Sequence, residues 1–195
     1  MIKYNIDFRS LCSEGLDKIH EDFMVVLVCG SQGTGKNYFC FYKEEEILRD
    51  VITNVHSYEN SKVAVEYFTK LEEIYNNYTK NKMYIIDECS KKFPKDCKID
   101  KAFYGWLQQS RKTNRYVFLI FQEYYMVPQW LRGVANRVYV TKKIPFLPLQ
   151  ATSLGIPVLD KETFEWGLQE LAVTIYKRNK KIGSLYDTYE VIGQL

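Results

Sequence analysis

The sequence holds only two histidines, five cysteines and five prolines in 195 residues. His20 and His56 have no nearby ligand set, so a histidine-based metal centre is not expected. Cys12, Cys29, Cys40, Cys89 and Cys97 are an odd number with no C-x-x-C pair, which argues against both a disulfide framework and a zinc site. No apolar run approaches the roughly 18 residues that span a bilayer. The start, MIKYNIDFRSLCSEG, lacks the apolar stretch of a signal peptide. The net charge of +3 is too mild to announce a polyanion binder by itself, so its distribution matters more. What remains is an ordinary globular composition at the length of one domain of about 100–200 residues. A soluble intracellular protein is expected.

Apolar strand-like runs alternate with helical spacings along most of the chain. Met24 to Cys29 is apolar throughout, as a strand buried on both faces requires. A helix is expected from Lys36 to Leu48, then strands at Val51 to Val55, Met83 to Ile86, Tyr116 to Phe121 and Arg137 to Thr141. Between them, Lys62 to Tyr78, Ala102 to Ser110 and Pro128 to Ala135 read as helices. Residues 1–23 read as a lead-in with weak helical spacing at Leu11, Leu16 and Ile19. Three of the five prolines fall at 145, 148 and 157, so Ile144 to Leu159 reads as loop-like. Leu171 to Tyr176 and Ile182 to Tyr186 then read as a hairpin around Arg178-Asn179-Lys180-Lys181. The expected fold is α/β, a mainly parallel sheet covered by helices on both faces, with a short C-terminal β extension. It forms a single domain over 1–195, its core at about 24–143 and the extension at about 144–195.

The most informative stretch is MVVLVCGSQGTGKNY, Met24 to Tyr38. A strand enters the turn Gly30-Ser31-Gln32-Gly33-Thr34-Gly35-Lys36, and a helix follows from Asn37 and Tyr38. This is the strand, G-x-x-x-x-G-K, helix order of a P-loop. The glycines let backbone N–H groups curl inward onto phosphate oxygens, and the helix adds its positive N-terminal end. Lys36 would reach the β- and γ-phosphates of ATP as a point charge. The position after the lysine usually carries a Ser or Thr hydroxyl that binds Mg²⁺; Asn37 stands there, and its amide oxygen can ligate a hard cation.

A P-loop also needs a carboxylate for the metal and a group that activates water. Asp87 closes the apolar strand Met83 to Ile86, where the magnesium carboxylate belongs, and Glu88 follows as the base. Gln122 closes the strand Tyr116 to Phe121; if that strand lies beside the P-loop strand, its amide falls near the γ-phosphate. Arg111, Arg115, Arg132 and Arg137 are candidates for a charge donated to a neighbouring subunit's nucleotide. Arg111 and Arg115 are favoured, with Arg132 behind.

The ordered set GSQGTGKNYF, VITNV, YIIDE, WLQQSRKTNR, VFLIFQ and WLRGVANRVYV resembles the Zot-like ATPases of filamentous phages, within the FtsK–HerA superfamily. The likeness covers about residues 24–143, and the late IYKRNKKIGSLYDTYE extends it. It implies that Lys36 binds phosphate, Asp87 the metal, Glu88 the water, that Gln122 senses the nucleotide, and that the element around Arg111 holds the finger. It also implies a ring of identical subunits that moves DNA in virion assembly, extrusion or genome packaging. Such a motor would act in the host cytoplasm, at the inner membrane through a partner, or on a virion, beside capsid, vertex or membrane proteins. Two alternatives stand: a nucleotide-bound assembly subunit that does not hydrolyse, and a small-molecule kinase.

Charge is concentrated where DNA would need it. Lys91, Lys92, Lys95, Lys98, Lys101, Arg111, Lys112 and Arg115 face only Asp96 and Asp100 in the same stretch, and Lys177, Arg178, Lys180 and Lys181 form a second cluster. Lysines can follow a phosphate backbone without reading sequence. Phe93, Phe103, Tyr104 and Trp106 lie nearby at spacings that read as core.

Overall fold

The computed structural model describes residues 24–55, 63–75, 79–144 and 149–177. The N-terminal lead-in and the 182–186 strand lie outside the described residues. In chain order the elements are β1 (Met24–Cys29), α1 (Lys36–Ile47), β2 (Val51–Thr53), β3 (Val65–Tyr67), α2 (Leu71–Tyr75) and β4 (Met83–Ile86). Then come α3 (Cys89–Lys92), α4 (Lys101–Gln108), β5 (Tyr116–Phe121), α5 (Gln129–Arg132), β6 (Arg137–Lys143), β7 (Leu149–Leu159) and β8 (Trp166–Lys177). The eight strands form one sheet in the order β3-β2-β4-β5-β1-β6-β7-β8. β1 to β6 run parallel, and β7 and β8 add antiparallel pairs at one edge.

Alternation in β1 divides the core in two. Val25, Leu27 and Cys29 point to one face, where they meet residues of α2, α4 and α5 such as Leu71, Phe103, Trp106 and Leu131. Val26 and Val28 point to the other, against Tyr38, Phe39, Cys40 and Phe41 of α1. A strand covered on both sides must be apolar at every position, and β1, β4 and β5 are. The aromatic spacing after Lys92 is core: Phe93 stacks on Phe103 at 4.8 Å between ring centroids, and Phe103 on Trp106 at 5.7 Å.

Two stretches depart from the expectation. Lys62 to Tyr78 is not one helix. Its first part forms β3, whose Val65 pairs with Val51 at the sheet edge. The helix starts only at Leu71, where Glu73 accepts from the Thr69 hydroxyl at 3.0 Å and from its N–H at 3.2 Å. Eleven residues of the expected loop Ile144 to Leu159 are also strand: β7 runs from Leu149 to Leu159, through Pro157. Proline fits there because β6 pairs with β7 only from Gln150 to Gly155, which leaves Pro157 on an open edge without a ladder bond to donate. β7 and β8 form an antiparallel hairpin, and β8 contains the expected Leu171–Tyr176 strand.

Candidate active site

The sheet order places β1 between β5 and β6, with β4 beyond β5. All four are parallel, so the residues after Cys29, Ile86 and Phe121 emerge on one edge. That edge is where an open α/β sheet holds its ligand. It brings together the P-loop, Asp87, Glu88 and Gln122.

The P-loop turn depends on glycine at Gly30 and Gly35. A Cβ on Gly30 would lie 2.4 Å from Thr141 Oγ1 and 2.7 Å from the Thr141 carbonyl. Gly35 caps α1 at φ 91°, a left-handed conformation that favours glycine. Gly30 N–H donates to the Gln122 carbonyl at 2.9 Å, tying the loop to the end of β5. Ser31, Gln32 and Gly33 are exposed at the tip. Lys36 folds back over the turn, its Nζ donating to the Gly30 carbonyl at 2.7 Å and the Ser31 carbonyl at 3.1 Å. Tyr38, by contrast, is buried in the core under α1, so its ring cannot face a nucleotide in this fold; only its backbone belongs to the loop.

Asn37 and Asp87 meet directly. Asn37 Nδ2 donates to Asp87 Oδ2 at 2.7 Å, and the other Asp87 oxygen accepts from the Glu88 N–H. Asn37 Oδ1 is buried and has no hydrogen-bond partner in the fold. A buried amide oxygen beside a carboxylate offers the hard oxygen donors that Mg²⁺ prefers, so these two residues fit that ion. Among the described residues no three His, Cys, Asp or Glu gather in a metal-binding cluster, here or elsewhere. Magnesium needs only one or two protein ligands when phosphates and waters complete its shell.

Three supports escape a motif reading. Asn54, buried just past β2, accepts from the Asp87 N–H at 2.8 Å and donates to the Asp87 carbonyl at 3.1 Å, clamping that peptide from both sides. Thr141 on β6 shares a hydrogen bond with the Thr34 hydroxyl at 2.9 Å. Gln150 on β7 donates to the Gly35 carbonyl at 3.0 Å. The one sequence signal was the Asn after a short β-branched run, in VITN. Thr141 and Gln150 act from strands whose neighbours only the sheet order reveals.

Burial works against both charges. Desolvation pushes the Asp87 carboxyl up from 3.8, opposed by the bonds from Asn37 and Glu88 and by Lys36. Desolvation likewise lowers the Lys36 ammonium, opposed by Asp87. The folded pKa of Asp87 lies above its unfolded value. Its favourable contribution is thus present below the unfolded pKa and lost as pH rises through the folded one. At neutral pH the ionised Asp87 costs stability. Asp87→Asn is therefore expected to raise the Tm at pH 7 while removing Mg²⁺-dependent turnover, checked by calorimetry beside a hydrolysis assay.

Glu88 takes φ 55°, ψ 32°, a left-handed conformation rare for a non-glycine residue, at the start of α3. Strain of this kind collects at functional positions. Its carboxylate is ion-paired with Lys91.

Residues 41–189, well over half of the chain, match the family described as Zonular occludens toxin (Zot). The chain belongs to the Zot family. The match begins inside α1, so the P-loop of this Zot-family chain rests on its own sequence and geometry. Among curated proteins, none matches. Among solved structures, the N-terminal domain of zonular occludens toxin from Neisseria meningitidis is similar at 18% identity and TM-score 0.60, over 85% of this chain and 100% of that one. The genome packaging NTPase B204 of Sulfolobus turreted icosahedral virus 2, in complex with AMPPCP, is similar at 14% identity and TM-score 0.53, over 82% and 100%. The RadB recombinase is similar at 13% and 0.51, over 81% and 88%. At these identities the likeness establishes the P-loop NTPase fold.

The arginines separate. Arg115 and Arg111 precede β5 and lie at the opposite end of that strand from Gln122, roughly 20 Å away. Arg111 is exposed. Arg115 is fully buried, its guanidinium 4.4 Å from the Trp106 ring centroid and its Nη2 donating to the Trp106 carbonyl at 2.9 Å. That corrects its expected role: a finger must protrude to reach another subunit, and Arg115 is core. Arg132 is also buried, and donates to the carbonyls of Val127, Tyr125 and Trp166, fastening α5 to β8. Arg137 opens β6 at the same end of the sheet as Arg115. Among the described residues, no helix is long and apolar enough to cross a membrane.

Proposed function

We propose that this Zot-family chain binds ATP with Mg²⁺ at the edge formed by β1, β4 and β5, and hydrolyses it to move DNA during virion assembly. The observation that carries the reading is the Asn37–Asp87 pair. It joins the P-loop helix to the end of β4 and leaves a buried amide oxygen beside the carboxylate. Lys36 and the N–H groups of Gly33 to Lys36 would hold the phosphates, and Asn37 and Asp87 the Mg²⁺, which would supply charge neutralisation to them. Glu88 would take the proton of the attacking water. Gln122 stands exposed next to Gly30 and would sense the γ-phosphate. Two neighbours of similar fold bear on the biology: one is a viral genome packaging NTPase bound to an ATP analogue, the other a zonular occludens toxin domain.

A ring of identical subunits would bring a trans-acting charge to each nucleotide. With Arg115 in the core, exposed Arg111 is the arginine that supplies it. DNA is held without sequence preference, by lysines acting as point charges.

The test is Mg²⁺-dependent ATP hydrolysis by the purified chain with and without DNA, beside Glu88→Gln. Wild-type turnover that DNA raises, and a fall of about 100- to 10,000-fold in Glu88→Gln, are expected. ATP binding without hydrolysis in any condition would favour the assembly-subunit reading instead.

A further inference from the structure

Lys91 sits three residues past Glu88, on the single turn of α3, and its ammonium is paired with Glu88 Oε2. Glu88 is the residue read above as the water-activating base, and its backbone is fixed: Asp87 Oδ1 holds its N–H, and its φ is left-handed. What is not fixed is where the carboxylate points. We propose that Lys91 is a positioning residue that engages Glu88 in the resting chain, and that a nucleic-acid phosphate backbone draws Lys91 off, freeing Glu88 for the attacking water. The inference rests on the assignment of Glu88 as the base.

Three observations carry it. First, the ammonium pairs with the carboxylate that must accept the proton, and its charge lowers the basicity of that group, so the pair and the chemistry compete for Glu88. Second, the two side chains are partly exposed, Lys91 at 57% and Glu88 at 37%, although the paired oxygen Oε2 is itself covered. An exposed pair biases an equilibrium by no more than about fivefold, which suits a contact made to be exchanged. Third, Lys91 opens onto positive ground. Lys95 and Lys98 are exposed just beyond it, while Lys92 is held by Glu72 at 3.5 Å. Of the two acids in this stretch, Asp100 is engaged in capping α4, accepting from Ala102 N–H and Phe103 N–H at 3.1 Å each. A phosphate backbone outcompetes a lone carboxylate for such lysines, because each phosphate neutralised releases a condensed counterion.

The lysines of this run therefore divide by position. Lys91, Lys95 and Lys98 follow directly from the end of β4 that bears Asp87, whereas Arg111 and Lys112 lie in the turn before β5 at the far end of the sheet. Only the first group can report on DNA to the reacting end of the sheet through a single side chain.

Steady-state ATP hydrolysis by the full chain, as wild type, Lys91→Ala and Lys91→Arg, tests this with and without a mixed-sequence DNA oligonucleotide. Lys91→Ala is expected to raise the DNA-free kcat about two- to fivefold at unchanged KM for ATP, and to respond less to DNA. Lys91→Arg is expected to restore the low DNA-free rate. A Lys91→Ala rate equal to or below wild type, in a wild type that hydrolyses ATP, overturns the inference and leaves the ATPase reading standing. Activation by anionic phospholipid vesicles but not by DNA overturns the nucleic-acid assignment. If wild type and Lys91→Ala both bind ATP and neither hydrolyses it, the base assignment of Glu88 fails, and this inference with it.

Discussion

Lys36→Met is expected to lower kcat/KM for ATP hydrolysis by about 10,000-fold. The substitution keeps the aliphatic stem and removes only the ammonium. Without nucleotide, that ammonium is held by two P-loop carbonyls, Gly30 and Ser31, and by the nearby charge of Asp87. Neither carbonyl is a full partner for this half-buried cation, and desolvation lowers its pKa. A phosphate oxygen would supply the missing negative charge. Losing a charge-assisted hydrogen bond in the ground state costs about 1.5–3 kcal/mol, and losing a transition-state donor costs a further 100- to 1,000-fold in rate. Fluorescent-nucleotide titration separates the two parts, with the first seen as weaker binding and the second as slower single turnover. The Tm should hold or rise, because the fold no longer partly desolvates a charge. Activity within tenfold of wild type would remove Lys36 from the site.

The features legible in the sequence are those governed by short-range rules. An apolar run, three glycines at fixed offsets and a carboxylate at a strand end each follow from local physics, and β1, the P-loop and Asp87 lie where that physics puts them. The position of Gln122 needed one further fact, the pairing of β5 with β1, and the sheet order supplies it. Features that depend on long-range neighbours were not legible. β3 exists because β2 offers it an edge; its three residues carry too little pattern to outweigh the helical spacing around them. β7 tolerates Pro157 only because β6 ends first, which composition cannot reveal. Thr141 and Gln150 brace the P-loop from residues more than a hundred positions away.

Asn37 illustrates the same division. From sequence it is a departure at the metal-binding position of a P-loop. In the fold its longer side chain reaches Asp87, which a serine hydroxyl would not do in the same way, and the amide offers one donor to the carboxylate and one acceptor to a cation. The departure thus reads as a different way of filling the position rather than as its loss. It also explains why Asn54 matters: a carboxylate pulled toward Asn37 needs its own peptide held, and Asn54 holds both the N–H and the carbonyl.

Arg115→Ala is expected to destabilise the chain by about 3–5 kcal/mol, a fall in Tm of roughly 6–20 °C for a protein of this size. The side chain is among the largest of those fully buried, and removing it opens a cavity beside Trp106 and Tyr84, whose ring centroids lie 4.4 Å and 6.0 Å from its guanidinium. It also leaves the Trp106 carbonyl without the 2.9 Å bond it now accepts. Arg115→Lys should not restore stability, because a compact ammonium cannot lie flat on the indole face and reach that carbonyl together. Arg115→Met should recover part of it by refilling the volume without a buried charge. Well below the Tm, the hydrolysis rate per folded Arg115→Met chain should stay near wild type. Arg111→Ala should do the reverse, holding the Tm and losing about 1,000-fold or more in turnover, as removal of a finger does. Thermal unfolding and hydrolysis measured on both variants therefore assign the two arginines. An Arg115→Met chain that keeps its Tm but loses turnover a thousandfold would return Arg115 to the site and mean that the guanidinium leaves the core when subunits assemble.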